Sequence, residues 1–159
     1  MKYAIFFLFF GTVLFRSCDN VCDFEGAHEL GNNLVLLEGD RLEDRIIIRC
    51  IGRDEISGCC RGGQYIIPKY EEHYHEGRYN EYIEAAKSND QWIVAKSIRL
   101  LDKERPEQYW IISKEFNLEG IDCSKVSCDS IIQLSIAGPL GHEEFLEQKK
   151  RLNVNLKIK

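Results

Sequence analysis

The chain has 159 residues, 26 acidic and 21 basic side chains and a formal net charge of −5; 44% of its residues are hydrophobic and 30% charged. This is a globular composition that excludes disordered, collagenous and multi-span membrane chains, and its length admits one domain. The acidic excess argues against a nucleic-acid partner, because phosphate binding needs a basic face.

Lys2 precedes an uncharged run from Tyr3 to Phe15, closed by Arg16. As a helix its 13 residues rise only about 20 Å, too short for a hydrocarbon core of roughly 30 Å. A basic start, a short apolar stretch and a polar exit predict a secretory signal over residues 1–17. A buried N-terminal element is the competing reading, and five phenylalanines with no polar face count against it. Ser17-Cys18 directly after the run resembles a bacterial lipoprotein signal, in which the cysteine becomes the acylated first residue. Arg16 stands where that pattern prefers a small or aliphatic residue, so soluble export is the alternative. Lipidation at Cys18 would anchor the chain stably. Cleavage after Ser17 would leave 142 residues and, with Lys2 and Arg16 gone, a charge of −7.

Residues 18–33 are polar and Gly-punctuated, which predicts an irregular tether, with a single domain over 34–159. Leu34 to Leu37 is a short apolar run stopped by Gly39-Asp40. Asp40, Glu43 and Asp44 alternate with Arg41 and Arg45; their spacing lacks the regular oxygen ligands of a calcium loop and predicts a solvated turn. Ile46 to Ile51 is β-branched and bounded by Gly52, hence a strand. Ile56 to Gly63 reads as a Gly-rich turn, and Tyr65-Ile66-Ile67-Pro68 as a brief extended piece. Lys69 to Asn80 is dense in charge and tyrosine. Tyr79, Tyr82, Ile83 and Ala86 recur at i, i+3, i+4 and i+7, the stripe of a helix over 79–87. Gln91 to Leu101 and Gln108 to Phe116 are strands joined by a polar, proline-bearing hairpin loop. Ile131 to Ile136 predicts a further strand, broken by Gly138-Pro139-Leu140-Gly141. His142 to Leu152 predicts a helix, with Glu143 and Glu144 in its first turn and Lys149, Lys150 and Arg151 in its last, an order that suits the helix dipole. Asn153 to Ile158 alternates polar and apolar residues, as an edge strand does. The expected fold is α+β: a single domain, an antiparallel β-meander packed by one or two helices and stapled by disulfides.

With Cys18 assigned to lipid, Cys22, Cys50, Cys59, Cys60, Cys123 and Cys128 remain, an even number that suits a disulfide framework in an exported chain. Six cysteines allow 15 pairings. Cys123 and Cys128 flank a short polar loop that can bring them together, and one of Cys50, Cys59 and Cys60 is expected to join Cys22. Zinc is the rival reading, but adjacent Cys59-Cys60 and the wide Cys123-x4-Cys128 fit its paired-ligand spacing poorly. Free buried thiols are the other alternative.

Trp92-Ile93-Val94-Ala95-Lys96, then Tyr109-Trp110-Ile111-Ile112, then Gly138-Pro139-Leu140 with Glu144-Phe145 and Lys149, together resemble a family of small bacterial lipoproteins and secreted proteins of unknown function. The resemblance spans residues 60 to 159. It implies a β-meander and a terminal helix, with these positions structural, and it implies no activity.

His73 and His75, flanked by Glu71, Glu72 and Glu76, would share a face on a strand and could chelate a transition metal; on a solvated loop they are merely polar. No Gly-x-Ser-x-Gly elbow or phosphate-cradling Gly-rich loop exists, and no catalytic residue or cofactor is implied. The expected function is non-catalytic: a lipoprotein anchored at Cys18 in the bacterial envelope, on the periplasmic or outer surface, or else secreted, that binds another protein. One version is an inhibitor or immunity-type lipoprotein with a cationic target. The alternatives are a structural envelope component and a metal-dependent hydrolase built on His73 and His75.

Overall fold

A computed structural model describes residues 21–24 and 26–158. In chain order these form α1 (Val21–Phe24), β1 (Ala27–Gly31), β2 (Leu34–Leu37), a 3-10 turn (Leu42–Asp44), β3 (Ile46–Arg53), β4 (Cys60–Ile67), α2 (Tyr70–His73), β5 (Tyr74–His75), β6 (Arg78–Tyr79), β7 (Glu81–Ser88), β8 (Trp92–Arg99), β9 (Glu107–Ser113), α3 (Cys128–Gln133), β10 (Ile136–Leu140) and α4 (His142–Arg151). The fold is mixed α+β. Strands β1 to β4 make one antiparallel meander and β7 to β10 a second, with β5 and β6 as a small ribbon between them in sequence.

Both sheets contribute to one core: Leu34, Leu36, Ile47 and Ile67 from the first meet Ile83, Ile93, Trp110 and Ile112 from the second. The backs of the sheets are covered as well. Ile46, Ile48, Cys50 and Cys60 cluster behind the first sheet, with Cys22 of α1 packed against them. Val94, Tyr109 and Ile111 cluster behind the second, under Phe145 of α4. Burial on two faces explains why Ile46-Ile47-Ile48 and Trp110-Ile111-Ile112 are unbroken apolar runs: neighbours along each strand enter opposite clusters.

Three disulfides close this body. Cys22 pairs with Cys59, Cys50 with Cys60, and Cys123 with Cys128. The first joins α1 to the turn before β4, as expected of one member of the central trio. The third ties the loop before α3 to its first residue, Cys128; the first turn of α3 is capped by Ser127 and its Ile132 enters the shared core.

Several expected elements differ. Residues 27–31, expected in the irregular tether, form β1, because Ala27 and Leu30 are buried and the strand pairs with β2. Cys60 to Gly63, expected in a turn, open β4, so the short piece at Tyr65 is the end of an eight-residue strand. Residues 79–87, expected as a helix, are mostly strand β7. Their helical stripe is overridden by pairing with β8 along the whole element, from Glu81 opposite Arg99 to Ser88 opposite Ile93.

Of the stretch 131–136, expected as a strand, residues 131–133 belong to α3, which the Ser127 cap and the Cys123–Cys128 bridge start, and only Ile136 is strand, opening β10. Gly138-Pro139, expected to break a strand, lies inside β10, where the register with β9 shifts between Ala137 and Leu140. Residues 153–158 pair with no strand. Their alternation is nonetheless used, because Val154, Leu156 and Ile158 all pack behind the second sheet.

The predicted leader 1–17 and Cys18 lie outside the described residues. Among those described, no helix is long and apolar enough to cross a membrane.

Candidate functional site: a tyrosine-lined pocket

The link between the two meanders builds the most distinctive surface feature. Tyr65 is carried by β4, Tyr70 and His73 by α2, Tyr74 by β5 and Tyr79 by β6. The ribbon β5–β6 sets Tyr74 directly opposite Tyr79. Glu76 and Gly77 between the strands both have positive φ, as the tight two-residue hairpin turn with matching twist requires.

The rings form a continuous chain. Tyr70 meets Tyr65 at 5.4 Å and 78°, Tyr65 meets His73 at 5.7 Å and 58°, His73 meets Tyr79 at 5.4 Å and 66°, and Tyr79 meets Tyr74 at 5.4 Å and 69°. Three of these contacts are edge-to-face and that of Tyr65 with His73 is tilted, arrangements that satisfy the ring quadrupoles and leave aromatic faces turned in several directions. They line a pocket of about 340 Å³, whose remaining wall includes Leu37, Glu38, Asp44 and Ile46.

Asp44 ends the 3-10 turn. Its carboxylate accepts the backbone N–H of Arg41 at 2.9 Å. It also accepts the Tyr79 hydroxyl, and that bond is the main reason the phenol's pKa is raised. Burial, followed by the nearby Tyr70 and Asp44, raises the pKa of Tyr65 too. Of the turn expected here as solvated, Asp40, Arg41 and Leu42 are exposed, whereas Glu43, Asp44 and Arg45 are half-buried. Glu38, by contrast, is occupied: Arg45 pairs with it, and His28 Nε2 lies 3.4 Å away.

The two histidines do not form a joint site. His73 is buried at 4% exposure in the pocket wall, and its Nδ1 lies 2.8 Å from the Glu81 carbonyl oxygen. A carbonyl only accepts, so His73 carries its proton on Nδ1. His75 sits on the ribbon with a side chain 66% exposed, its Nε2 3.6 Å from Glu76. The strand that would have aligned them starts only at Tyr74, so His73 belongs to α2. Among the described residues no group of three or more His, Cys, Asp or Glu is placed to hold a metal ion.

Two other polar constellations are sealed or committed. Trp110 Nε1 donates to Ser97 Oγ at 2.8 Å, and Ser97 Oγ donates to Glu81 Oε1 at 2.6 Å. Burial raises the pKa of Glu81, against the Ser97 hydrogen bond. A serine beside a carboxylate looks reactive on paper, but Ser97 has no exposed surface, so the trio acts as a buried polar tie.

A larger cleft of about 700 Å³ lies between the β8–β9 loop and the start of α4. Two of its carboxylates have structural duties. Glu107 binds Lys96 at 2.9 Å and accepts the Tyr109 hydroxyl at 2.9 Å, while Glu144 caps the Gly141 N–H at 3.0 Å. Glu104 also lines that cleft; the tyrosine pocket is smaller, and what distinguishes it is its set of rings beside Asp44, a carboxylate that is itself bonded to the Arg41 N–H and the Tyr79 hydroxyl.

The residues that matter here, Asp44 with Tyr65, Tyr70, Tyr74 and Tyr79, did not stand out as a site in the sequence. The available signal was density: five of the seven tyrosines fall between residues 65 and 82. Comparison of the chain with protein-family models, curated proteins and solved structures gave no significant match.

Proposed function

We propose that the chain is an exported, non-catalytic domain, held at the bacterial envelope by lipid at Cys18, that binds a basic partner protein. The observation carrying the binding role is the open tyrosine pocket with Asp44 in its wall. Amphipathic rings of this kind supply contact area at low entropic cost and recur at protein interfaces. Three closed disulfides support the address, because such bridges persist in oxidising compartments.

The anchor and the first bridge act together. Cys22 follows Cys18 by four residues, so a lipid on Cys18 would leave a leash of about 14 Å between the membrane surface and a covalently fixed point of the body. The acidic body would be repelled by anionic headgroups and would stay close only through that leash. A protective inhibitor of a cationic toxin fits this picture, since opposite charge speeds encounter and rejects wrong partners.

The test is the intact mass of the chain recovered from producing cells, before and after reduction, with crosslinking in the same cells. The expected result is loss of residues 1–17, added acyl mass at Cys18, a gain of six hydrogens on reduction and a crosslinked basic protein. Full-length chain with titratable thiols refutes the address. Absence of any crosslinked protein refutes the binding role.

A further inference from the structure

We infer that the tyrosine pocket seats the guanidinium of an arginine side chain presented by the partner protein. This deepens the binding role proposed above and rests on it. Cations bind over aromatic faces, and the chain of mutually inclined rings from Tyr70 to Tyr74 lines one cavity.

Asp44 supplies the counter-charge. Its described partners are the Arg41 N–H and the Tyr79 hydroxyl, neither of which is a cation. Two bonds use about half of the lone-pair sites of a carboxylate and leave room for the fork of a guanidinium. Arginine suits this better than lysine: its head is planar, stacks on rings and is weakly hydrated, whereas an ammonium gives up a tight water shell. The surroundings agree in sign. Segments 38–46 and 65–79, which furnish the pocket wall, hold seven carboxylates against four Lys and Arg side chains, one of which, Arg45, is already paired with Glu38, so a cation is drawn toward it.

The experiment uses the full, disulfide-closed chain at neutral pH, titrated with N-acetyl-arginine N-methylamide and followed by the NMR resonances of the tyrosine rings. The lysine and citrulline analogues run in parallel. Saturable binding of the arginine probe is expected, with the lysine analogue weaker and the citrulline analogue weakest. D44N and Y74A should each weaken the arginine probe about tenfold, the scale of one lost charge or ring contact. E104Q in the larger cleft should leave it unchanged. Asn is isosteric with Asp, and Tyr74 sits 39% exposed on the ribbon, so two independent variants guard against unfolding.

No saturable binding, or equal binding of the lysine or citrulline analogue, overturns the assignment. So does self-association of the chain that D44N abolishes without uptake of the probe, which would give the pocket to a second copy. A partner crosslinked equally by wild-type and D44N chains overturns the pocket and leaves the wider binding role intact. Arginine uptake without any crosslinked partner supports the pocket and defeats that role.

Discussion

Replacing Cys22 and Cys59 together by alanine removes the bridge that pins α1 to the body, and its cost follows from chain topology. The two residues are 37 apart, and loop-closure entropy for that length corresponds to about 3.8 kcal/mol. The Cys50–Cys60 bridge crosses this loop and shortens it. With that bridge closed, the covalent path runs from Cys22 to Cys50 and then back from Cys60 to Cys59, about 29 residues, which lowers the figure to about 3.6 kcal/mol.

Cys59 is fully buried, so lost packing adds to that cost rather than offsetting it. The same reasoning gives about 2.7 kcal/mol for Cys50–Cys60, separated by 10, and about 2.1 kcal/mol for Cys123–Cys128, separated by 5. Urea unfolding of the three double-alanine variants without reductant measures the series, with intact mass confirming two remaining bridges in each. The C22A/C59A midpoint is expected to fall by roughly 1–3 M at ordinary urea slopes. An unchanged midpoint for that variant, or a larger loss on opening the shortest loop, would show that unfolded-chain entropy is not what these bridges act through.

Three further outcomes test the interior. Lys96 is 9% exposed, with its ammonium 2.7 Å from Glu84 and 2.9 Å from Glu107. Burial alone would lower its pKa, but the two carboxylates outweigh that and raise it, while Lys96 and then Tyr109 lower the pKa of Glu107. K96M should cost about 1–3 kcal/mol at neutral pH, and E107Q added to it should recover part of the loss; additive costs in urea melts would refute the coupling.

Glu81 has a raised pKa, so its proton is held more tightly in the native state. Its stabilising share is complete below the unfolded carboxylate pKa and is lost as pH rises through the folded value. E81Q should therefore gain on wild type between acidic and neutral pH in paired urea melts, and a pH-independent difference defeats the assignment.

At Gly138, φ is +150°, and a Cβ would fall 2.5 Å from Trp110 Cε3 and 3.0 Å from the Tyr109 carbonyl oxygen. G138A should cost about 2 kcal/mol or more, with a change in tryptophan fluorescence as the indole is pushed off Ser97. A native spectrum and an unshifted melt would count against that packing.

The parts of the fold legible in the sequence are those whose signal and cause are both local. The β8–β9 hairpin carries its own proline-bearing loop between two apolar strands. The helix α4 carries its own charge gradient, and Cys123–Cys128 closes across a four-residue loop, three of whose residues are polar. The local signal misleads where tertiary pairing chooses between two permitted readings. Tyr79 to Lys87 has a helical stripe and two alanines, yet β8 needs an outer partner and takes it as β7. Ile131 to Ile136 is rich in isoleucine, yet a serine cap and a disulfide just upstream commit its first half to α3.

The candidate site was hidden for a different reason. Its tyrosines at 65, 70, 74 and 79 are spaced by five, four and five residues, which matches neither the two-residue period of a strand nor the 3.6-residue period of a helix. Four elements contribute one tyrosine each, and three changes of secondary structure fall within fifteen residues, so no single periodicity runs through the set. Asp44, the charge that gives the pocket its sign, comes from before β3. It reaches the rings only because β3 and β4 pair, with Ile48 opposite Tyr65. Such a site shows in a sequence as local enrichment without period, and the tyrosines between residues 65 and 82 are that enrichment.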